Sequence, residues 1–251
     1  MKIANRSLDL PLIQGGMGIG VSLGRLAGTV ASYGAMGTIS AVGIGYAEED
    51  FGKNNVHANV RALTKEIQKA KELSGGKGLI AVNIMHAITQ YEEMVKAAVK
   101  AGVDVLVVGA GLPLDLPKLA EGWDGILAPI VSSKRALELL YRSWKKRFSR
   151  IFDMVILEGA EAGGHLGIPS KDMEGFDLLS VTKETKSCLQ EVEAAEGRKI
   201  PLFVAGNVFD EKNMASLLEA GADGFQMGTP FIATEECDVH DGFKHVILEA
   251  R

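Results

Sequence analysis

Eight apolar runs of strand-like composition recur along the 251-residue chain, and segments with helical spacing separate them. Each run is continuously hydrophobic, which is typical of parallel strands that are buried on both faces. Eight such strand and helix units in about 250 residues predict an α/β fold, the parallel eight-stranded TIM (β/α)8 barrel. The predicted strands span residues 11–17, 35–43, 79–85, 103–111, 125–133, 154–164, 200–208 and 222–231.

A doubly wound sheet is the alternative, and it would have fewer strands and a glycine fingerprint in its first turn. The stretch GGMGIG at 15–20 does not match GxGxxG, and no GxxxxGK[ST] motif occurs. No linker-like stretch divides the chain, so we interpret residues 1–251 as a single barrel domain. The segment 241–251 begins as an eighth helix and stops, which predicts that the C-terminal helical part is truncated.

Charge and cysteine content exclude several classes of protein. The formal net charge of −5 gives no overall attraction to nucleic acid or to an anionic membrane. The uncharged stretch 26–47 contains five glycines, so it is interpreted as a buried helix and strand and not as a membrane span. Cys188 and Cys237 form neither a disulfide framework nor a zinc-binding pattern, which indicates a reducing cytoplasm and no metal site.

One basic cluster, RSWKKRFSR at 142–150, contrasts with the negative net charge of the chain. Its position on a helix-like segment favours a solvated helix face. Attraction of a phosphorylated cofactor or an acyl carrier is the alternative.

The residues that follow the predicted strands are the candidates for a functional site, because TIM barrels carry function at the carboxyl ends of their strands. Most of these residues are small, which leaves space for a flat, bulky ligand. The turns AGN at 205–207 and MGT at 227–229 lie where barrels commonly bind a phosphate. Tight turns alone would also explain the individual glycines. The candidates are Gly15, Gly16, Met17, Asn83, Gly109, Gly111, Ser132, Ser133, Glu158, Gly163, Gly164, His165, Gly206, Asn207, Gln226, Met227, Gly228 and Thr229.

Two of these candidates are polar residues within apolar runs. An unpaired amide at Asn83 would be unfavourable by about 1–3 kcal/mol, so a partner is expected, either a neighbouring strand or the edge of a heteroaromatic ring. An ionised carboxylate at Glu158 would need an ion pair or hydrogen bonds if it is buried. Both flank the same predicted cavity.

His165 follows two glycines in EGAEAGGHLG at 158–167. This places an imidazole on a glycine-flanked loop over the barrel mouth, where it could remove a proton from carbon near neutral pH. The other four histidines are expected on the surface or in loops.

Several motifs resemble the FMN-dependent nitronate monooxygenases, formerly 2-nitropropane dioxygenases, and the related flavin-type enoyl-acyl carrier protein reductases. The resemblance covers essentially the whole chain, and AGGH followed by QMGT at the eighth strand is its most specific part. The motifs are PLIQGGMGIG (11–20), VNIM (82–85), GAGLP (109–113), LAPIVSS (127–133), EGAEAGGHLG (158–167), PLFVAGNV (201–208) and GFQMGTPFIATEEC (224–237).

The resemblance implies an FMN cofactor and a role for each matching residue. Gly16, Met17, Asn83 and Glu158 would contact the flavin ring, and His165 would be the catalytic histidine. Glu158 is typical of the enoyl reductases, whereas nitronate monooxygenases often have glutamine there. The ring and phosphate would be held by Gly163, Gly164, Gly206, Asn207, Gln226, Met227, Gly228 and Thr229.

Three functions follow from this resemblance. The first is oxidation of alkyl nitronates by FMN and oxygen to a carbonyl compound and nitrite. The second is reduction of an enoyl thioester with NAD(P)H as electron donor, and the third is a non-catalytic flavin-binding protein. The expected partner is a small-molecule substrate, with no nucleic acid and no membrane, and a homo-oligomer is left open.

Overall fold

Eight parallel strands close into a barrel in the computed structural model of the chain, which describes residues 1–163, 175–206 and 208–249. Each strand pairs with the next, and the last pairs with the first. The predicted TIM barrel is therefore confirmed. The strands are β3 (Leu12–Gln14), β4 (Met36–Ser40), β5 (Leu79–Met85), β6 (Val105–Gly109), β7 (Ile126–Val131), β8 (Val155–Glu158), β9 (Leu202–Ala205) and β10 (Gly224–Met227).

Helices cover the outside of the barrel between successive strands. The uncharged stretch 26–47 supplies a helix and β4, as predicted. The two longest helices end at Gly75 and Gly197, which adopt positive φ angles of 58° and 67° that suit glycine. The helices are α1 (Gly24–Ser32), α2 (Asn55–Ser74), α3 (Tyr91–Lys100), α4 (Leu116–Leu119), α5 (Lys134–Phe148), α6 (Leu178–Glu196), α7 (Glu211–Glu219), α8 (Thr229–Ile232) and α9 (Asp241–Glu249).

The hydrophobic core has two parts, one inside the barrel and one between the strands and the helices. Side chains alternate along a strand, so every second residue of each apolar run faces the interior. This explains why the runs are continuously apolar. The interior is filled by Ile13, Met36, Leu79, Ala81, Val105, Val107, Ile126, Ala128, Met154, Ile156, Phe203 and Ala205.

A short hairpin at the N-terminus was not predicted. Its strands, β1 (Lys2–Ile3) and β2 (Arg6–Ser7), pair antiparallel, and Ile3 packs with the interior core. Arg6 donates a 2.9 Å hydrogen bond to Asp104 in the turn before β6. Two-residue strands are too short to show a periodic pattern, so these strands could not be identified from the sequence.

The basic cluster 142–150 lies mostly on α5, as predicted. Lys145 pairs with Glu196, and Arg150 donates to the backbone oxygens of Trp123 and Gly125 at 2.8 Å each. These contacts favour the interpretation as a helix face and not as a ligand site.

The predicted last helix is also present, as α9, and its Phe243, Val246 and Leu248 are exposed. Within the described ranges, no helix is both long and apolar enough to cross a membrane.

Gly37 provides a test of the packing between β4 and α1. A Cβ atom at this position would lie 1.8 Å from the backbone oxygen of Ala27. We expect Gly37→Ala to lower the free energy of unfolding by about 3 kcal/mol, the upper part of the usual range for overpacked cores, in urea denaturation. The control is Gly52→Ala, where no atom lies within 4 Å of the added Cβ. Equal stability of the two variants would contradict this packing.

Candidate active site

Five polar side chains line the barrel interior near the carboxyl ends of the strands. Register explains their orientation, since Glu158 lies opposite Ala205, whose side chain faces the interior, and Ser40 lies opposite Asn83. Residues two apart on a strand face the same side, so these five polar side chains follow the apolar interior residues toward the carboxyl ends of the strands. We call these residues the polar layer: Thr38, Ser40, Asn83, Glu158 and Gln226.

Two atoms of the polar layer are buried without a hydrogen-bond partner among the described residues. They are the hydroxyl Oγ1 of Thr38 and the amide oxygen Oε1 of Gln226. Buried polar atoms are usually satisfied by protein, water or a ligand. These two atoms therefore mark the place where a polar molecule would complete the structure.

The loop after β3 is held over the polar layer by the buried side chain of Gln14. Its Oε1 accepts a 3.0 Å hydrogen bond from the backbone N–H of Thr38, and its Nε2 donates to Ser22 Oγ at 2.9 Å. The same Ser22 hydroxyl accepts from the backbone N–H of Met17 at 3.0 Å. Gln14 thus ties the turn after β3 to β4.

Glycine is required where this loop crosses β5. A Cβ atom on Gly16 would lie 2.5 Å from Cβ of Asn83. The side chain of Met17 reaches the turn after β10, since its Sδ atom would lie 3.2 Å from a Cβ on Gly228. The structure therefore brings together the predicted residues of the turn after β3, of β5 and of the turn after β10.

Asn83 was predicted to need a hydrogen-bond partner. Within residues 1–163, 175–206 and 208–249, no hydrogen bond joins its side-chain amide to another group, whereas its backbone oxygen accepts from Ala41 N–H at 3.0 Å. The amide is half-buried and faces the barrel interior. This favours a ligand contact over a hydrogen bond to a neighbouring strand.

Glu158 differs from the ionised, paired carboxylate considered from the sequence. No ion pair or hydrogen bond to its side chain occurs in the described part of the chain. Burial raises the pKa of Glu158 from 4.5 to about 7, so the neutral acid is favoured. Glu158 can therefore hold a proton at neutral pH.

The turns after β8 and β9 approach each other closely. Gly206 has a φ of +98°, and a Cβ on it would lie 3.1 Å from the backbone nitrogen of Ala162. Among the described residues, no atom would lie within 4 Å of a Cβ on Gly163. Glycine at position 206 is thus favoured by its positive φ angle, whereas no described atom crowds position 163.

The turn after β10 holds the remaining candidates. The backbone oxygen of Met227 accepts from Gly15 N–H at 2.8 Å, which connects this turn to β3. Gly228 precedes α8, and Thr229 is its first residue. Backbone N–H groups at such a helix start suit a phosphate.

Three predicted residues, Gly164, His165 and Asn207, lie outside the described residues. Sequence reasoning also missed two members of the polar layer, Thr38 and Ser40. They are polar residues within the apolar run MGTIS, the same signal that identified Asn83.

Ser133 has a structural role, because its hydroxyl accepts from the Ala136 N–H at the start of α5. His57, His240 and His245 are exposed, and His86 lies in the loop after β5, 3.7 Å from Asp115. In the described ranges, no cluster of three or more His, Cys, Asp or Glu side chains could hold a metal ion.

A cleft of about 620 Å³ opens beside the polar layer, between the turn after β8 and the helices α6 and α7. It shares only Gly206 with the predicted site. Its lining includes Gly159, Leu178, Lys212 and Asn213. Asn213 Oδ1 is also buried without a hydrogen-bond partner among the described residues, and it belongs to this cleft. The two orphaned atoms of the polar layer belong to residues that do not line the cleft.

The fold is that of a TIM barrel, and the polar layer is a candidate ligand site at the carboxyl ends of its strands. The family described as nitronate monooxygenase matches residues 1–251. The chain therefore belongs to the nitronate monooxygenase family, a family of oxidoreductases.

Individual relatives agree with this family. The chain is 25% identical over 279 residues to a probable nitronate monooxygenase of Bacillus subtilis strain 168, covering 97% of this chain and 72% of that protein. It is 27% identical over 239 residues to a (3aS,4S,5R,7aS)-5-hydroxy-7a-methyl-1-oxo-octahydro-1H-indene-4-carboxyl-CoA dehydrogenase of Rhodococcus jostii strain RHA1, covering 95% and 56%. The structure of FabK from Thermotoga maritima superposes with a TM-score of 0.72 at 25% identity, covering 97% and 65%. The chain thus spans 56% to 72% of the length of these three proteins.

The pKa of Glu158 predicts a pH dependence of stability. In the unfolded chain this carboxyl loses its proton near pH 4.5, but in the folded protein it keeps the proton to about pH 7. The unfolded state binds fewer protons between these values, so the free energy of unfolding falls as pH rises, by at most about 3 kcal/mol. Glu158→Gln should remove this loss.

Urea unfolding from pH 4 to 8 measures the effect. The stability of Glu158→Gln relative to the wild type should increase as pH rises through the window and level off above it. The matched control is Glu161→Gln, an exposed carboxylate in the turn that follows β8. A difference between Glu158→Gln and the wild type that is constant with pH would contradict the burial of an uncompensated carboxyl.

Proposed function

We propose that the chain is an FMN-dependent oxidoreductase that oxidises alkyl nitronates to a carbonyl compound and nitrite with oxygen. Membership of the family and the relative from Bacillus subtilis support this reaction. The observation that carries the proposal is the polar layer, with its orphaned Thr38 Oγ1 and Gln226 Oε1 atoms.

The residues of the polar layer fit a flavin. The edge of the isoalloxazine ring has both an N–H donor and carbonyl acceptors, and two hydroxyls, two amides and a neutral carboxyl offer complementary groups. The small residues of the turn after β3 let a flat ring approach the strands. When bound, FMN would supply the electron-transfer chemistry that the side chains lack.

Specific roles follow for the residues of the site. Ring contacts are assigned to the loop after β3 and to the polar layer, and phosphate contacts to the turns after β8, β9 and β10. FMN is preferred to FAD because these turns suit one terminal phosphate. The ring set is Gly16, Met17, Asn83, Glu158 and Gln226, and the phosphate set is Gly163, Gly164, Gly206, Asn207, Met227, Gly228 and Thr229.

Two side chains handle protons in this proposal. Glu158, with a pKa of about 7, holds a proton beside the ligand and can donate a hydrogen bond. His165 is the base that removes a proton from the carbon of a neutral nitroalkane, which makes the nitronate. A nitronate supplied as the anion does not need this step.

Reduction of an enoyl thioester with NAD(P)H is the second candidate. Glu158 favours it, because the related enoyl reductases often have glutamate there. The likeness to FabK, an enoyl-acyl carrier protein reductase, and to a dehydrogenase of a CoA thioester also supports it. The buried free cysteines Cys188 and Cys237 fit a reducing cytoplasm for either enzyme.

Steady-state assays of the FMN-loaded protein separate the candidates. We expect oxygen-dependent release of nitrite from ethylnitronate, and little oxidation of NADH or NADPH with a crotonyl thioester. The reverse pattern would establish the second candidate in place of the first. Failure of both assays with stoichiometric FMN would leave a non-catalytic flavin-binding protein.

His165→Asn tests the proposed base, since asparagine keeps hydrogen bonding without basicity. Activity on neutral nitroethane should fall by about 10²–10⁴-fold, because general base catalysis is lost. Oxidation of preformed ethylnitronate and the FMN content should change much less. An equal loss of FMN and of both activities would show that His165 has a structural role.

A further inference from the structure

Two large apolar side chains are exposed on neighbouring loops at the barrel mouth. Ile19, in the loop after β3, is 57% exposed, and Tyr46, in the loop after β4, is 49% exposed. Isolated exposed apolar residues are common on proteins. These two lie on adjacent loops at the face where the polar layer opens.

The two loops pack closely against each other at two glycines. A Cβ on Gly43 would lie 3.0 Å from Cδ1 of Ile19, and a Cβ on Gly20 would lie 2.9 Å from the Oη atom of Tyr46. The Ile19 and Tyr46 side chains are therefore packed against the backbone of the opposite loop. We call these two side chains, with the half-buried Val42 between the loops, the apolar wall.

Backbone hydrogen bonds attach the apolar wall to the polar layer. Ala41 N–H, at the start of the second loop, donates to the Asn83 oxygen at 3.0 Å, and Ser40 N–H donates to the Ser22 oxygen at 3.0 Å. The first loop carries Gly16 against Asn83, three residues before Ile19. A molecule bound at the polar layer would therefore have the wall beside it.

Charged residues near the apolar wall affect which chemical groups can bind beside it. Three carboxylates follow Tyr46 within four residues, and Arg61 pairs with two of them, Glu48 and Asp50. The third, Glu49, is exposed. This excess of negative charge opposes an anionic group at the far end of a bound chain and favours a neutral one.

We propose that the apolar wall binds the non-polar chain of the substrate, so that the protein prefers straight-chain alkyl substrates of several carbons with an uncharged end. This inference rests on the proposed function for the identity of the reacting group at the polar layer. Ile19 and Tyr46 are then the residues that determine specificity for chain length.

Binding of 1-alkanols from butanol to decanol to the FMN-loaded protein tests the wall without turnover. A fully buried methylene tightens binding about fourfold, and contact on one side gives about half of that free energy, or about twofold per carbon. We therefore expect the dissociation constant from calorimetry to fall about twofold with each added carbon.

Substitutions in the apolar wall test whether the dependence of affinity on chain length arises there. Ile19→Ser and Tyr46→Ser should each reduce the dependence on chain length, whereas Ile19→Leu should retain it. The matched control is Leu139→Ser, because Leu139 is 46% exposed but lies on α5, outside the barrel. Alkanol dissociation constants that do not change with chain length in the wild type, or serine variants that keep the full dependence, would overturn the proposal.

Activity assays on the same samples keep the two proposals apart. The kcat/KM for nitronates of two to eight carbons should rise with chain length in the wild type and in Leu139→Ser, and less steeply in Ile19→Ser. A wild type that binds alkanols according to chain length but oxidises no nitronate would refute the proposed reaction and support the wall. Oxidation with equal kcat/KM for every chain would support the reaction and refute the wall.

Discussion

The alternation of side chains along a closed parallel barrel is the constraint on which the rest of this structure depends. Because every second residue must face the interior, an apolar strand that gains a polar residue at an inward position brings that residue to the barrel axis. Met36 and Thr38 illustrate this on β4, as do Ile156 and Glu158 on β8. The polar layer forms where the inward-facing residues of these strands change from apolar to polar.

Close backbone approach is the second requirement of the site. Gly16 lies too close to Asn83 for a side chain, and Gly206 approaches the turn after β8 with a positive φ angle of 98° that favours glycine. The buried side-chain amide of Gln14 then fixes the loop after β3 by hydrogen bonds with Ser22 in that loop and with the Thr38 N–H on β4. The described turns of the site are thus held by close backbone contacts and hydrogen bonds on a closed sheet, which favours a preformed ligand site.

Much of the fold was predictable because each barrel strand lies within an apolar run. The strand predicted at 79–85 has the bounds of β5, whereas the other strands are shorter than predicted, as at β4, because the turns begin inside the apolar runs. The hairpin of β1 and β2 was missed because it has no period. The site was predicted less completely: Asn83 and Glu158 were identified as polar residues within apolar runs, but the same signal at Thr38 and Ser40 was missed. Burial of Glu158 without a partner depends on three-dimensional surroundings that a local sequence pattern does not contain.

If the polar layer binds FMN through its orphaned polar atoms, as we propose, Gln226→Leu should raise the dissociation constant of FMN. Quenching of flavin fluorescence measures this constant for the variant, the wild type and Thr185→Val. Thr185 is a useful control because its Oγ1 atom is also buried without a partner in the described residues, but it lies on α6. Gln226→Leu should bind FMN about tenfold more weakly, because one buried hydrogen bond is lost, whereas Thr185→Val should bind it as the wild type does. Wild-type affinity in Gln226→Leu, or no binding of FMN by the wild type, would show that the polar layer does not bind FMN in this way.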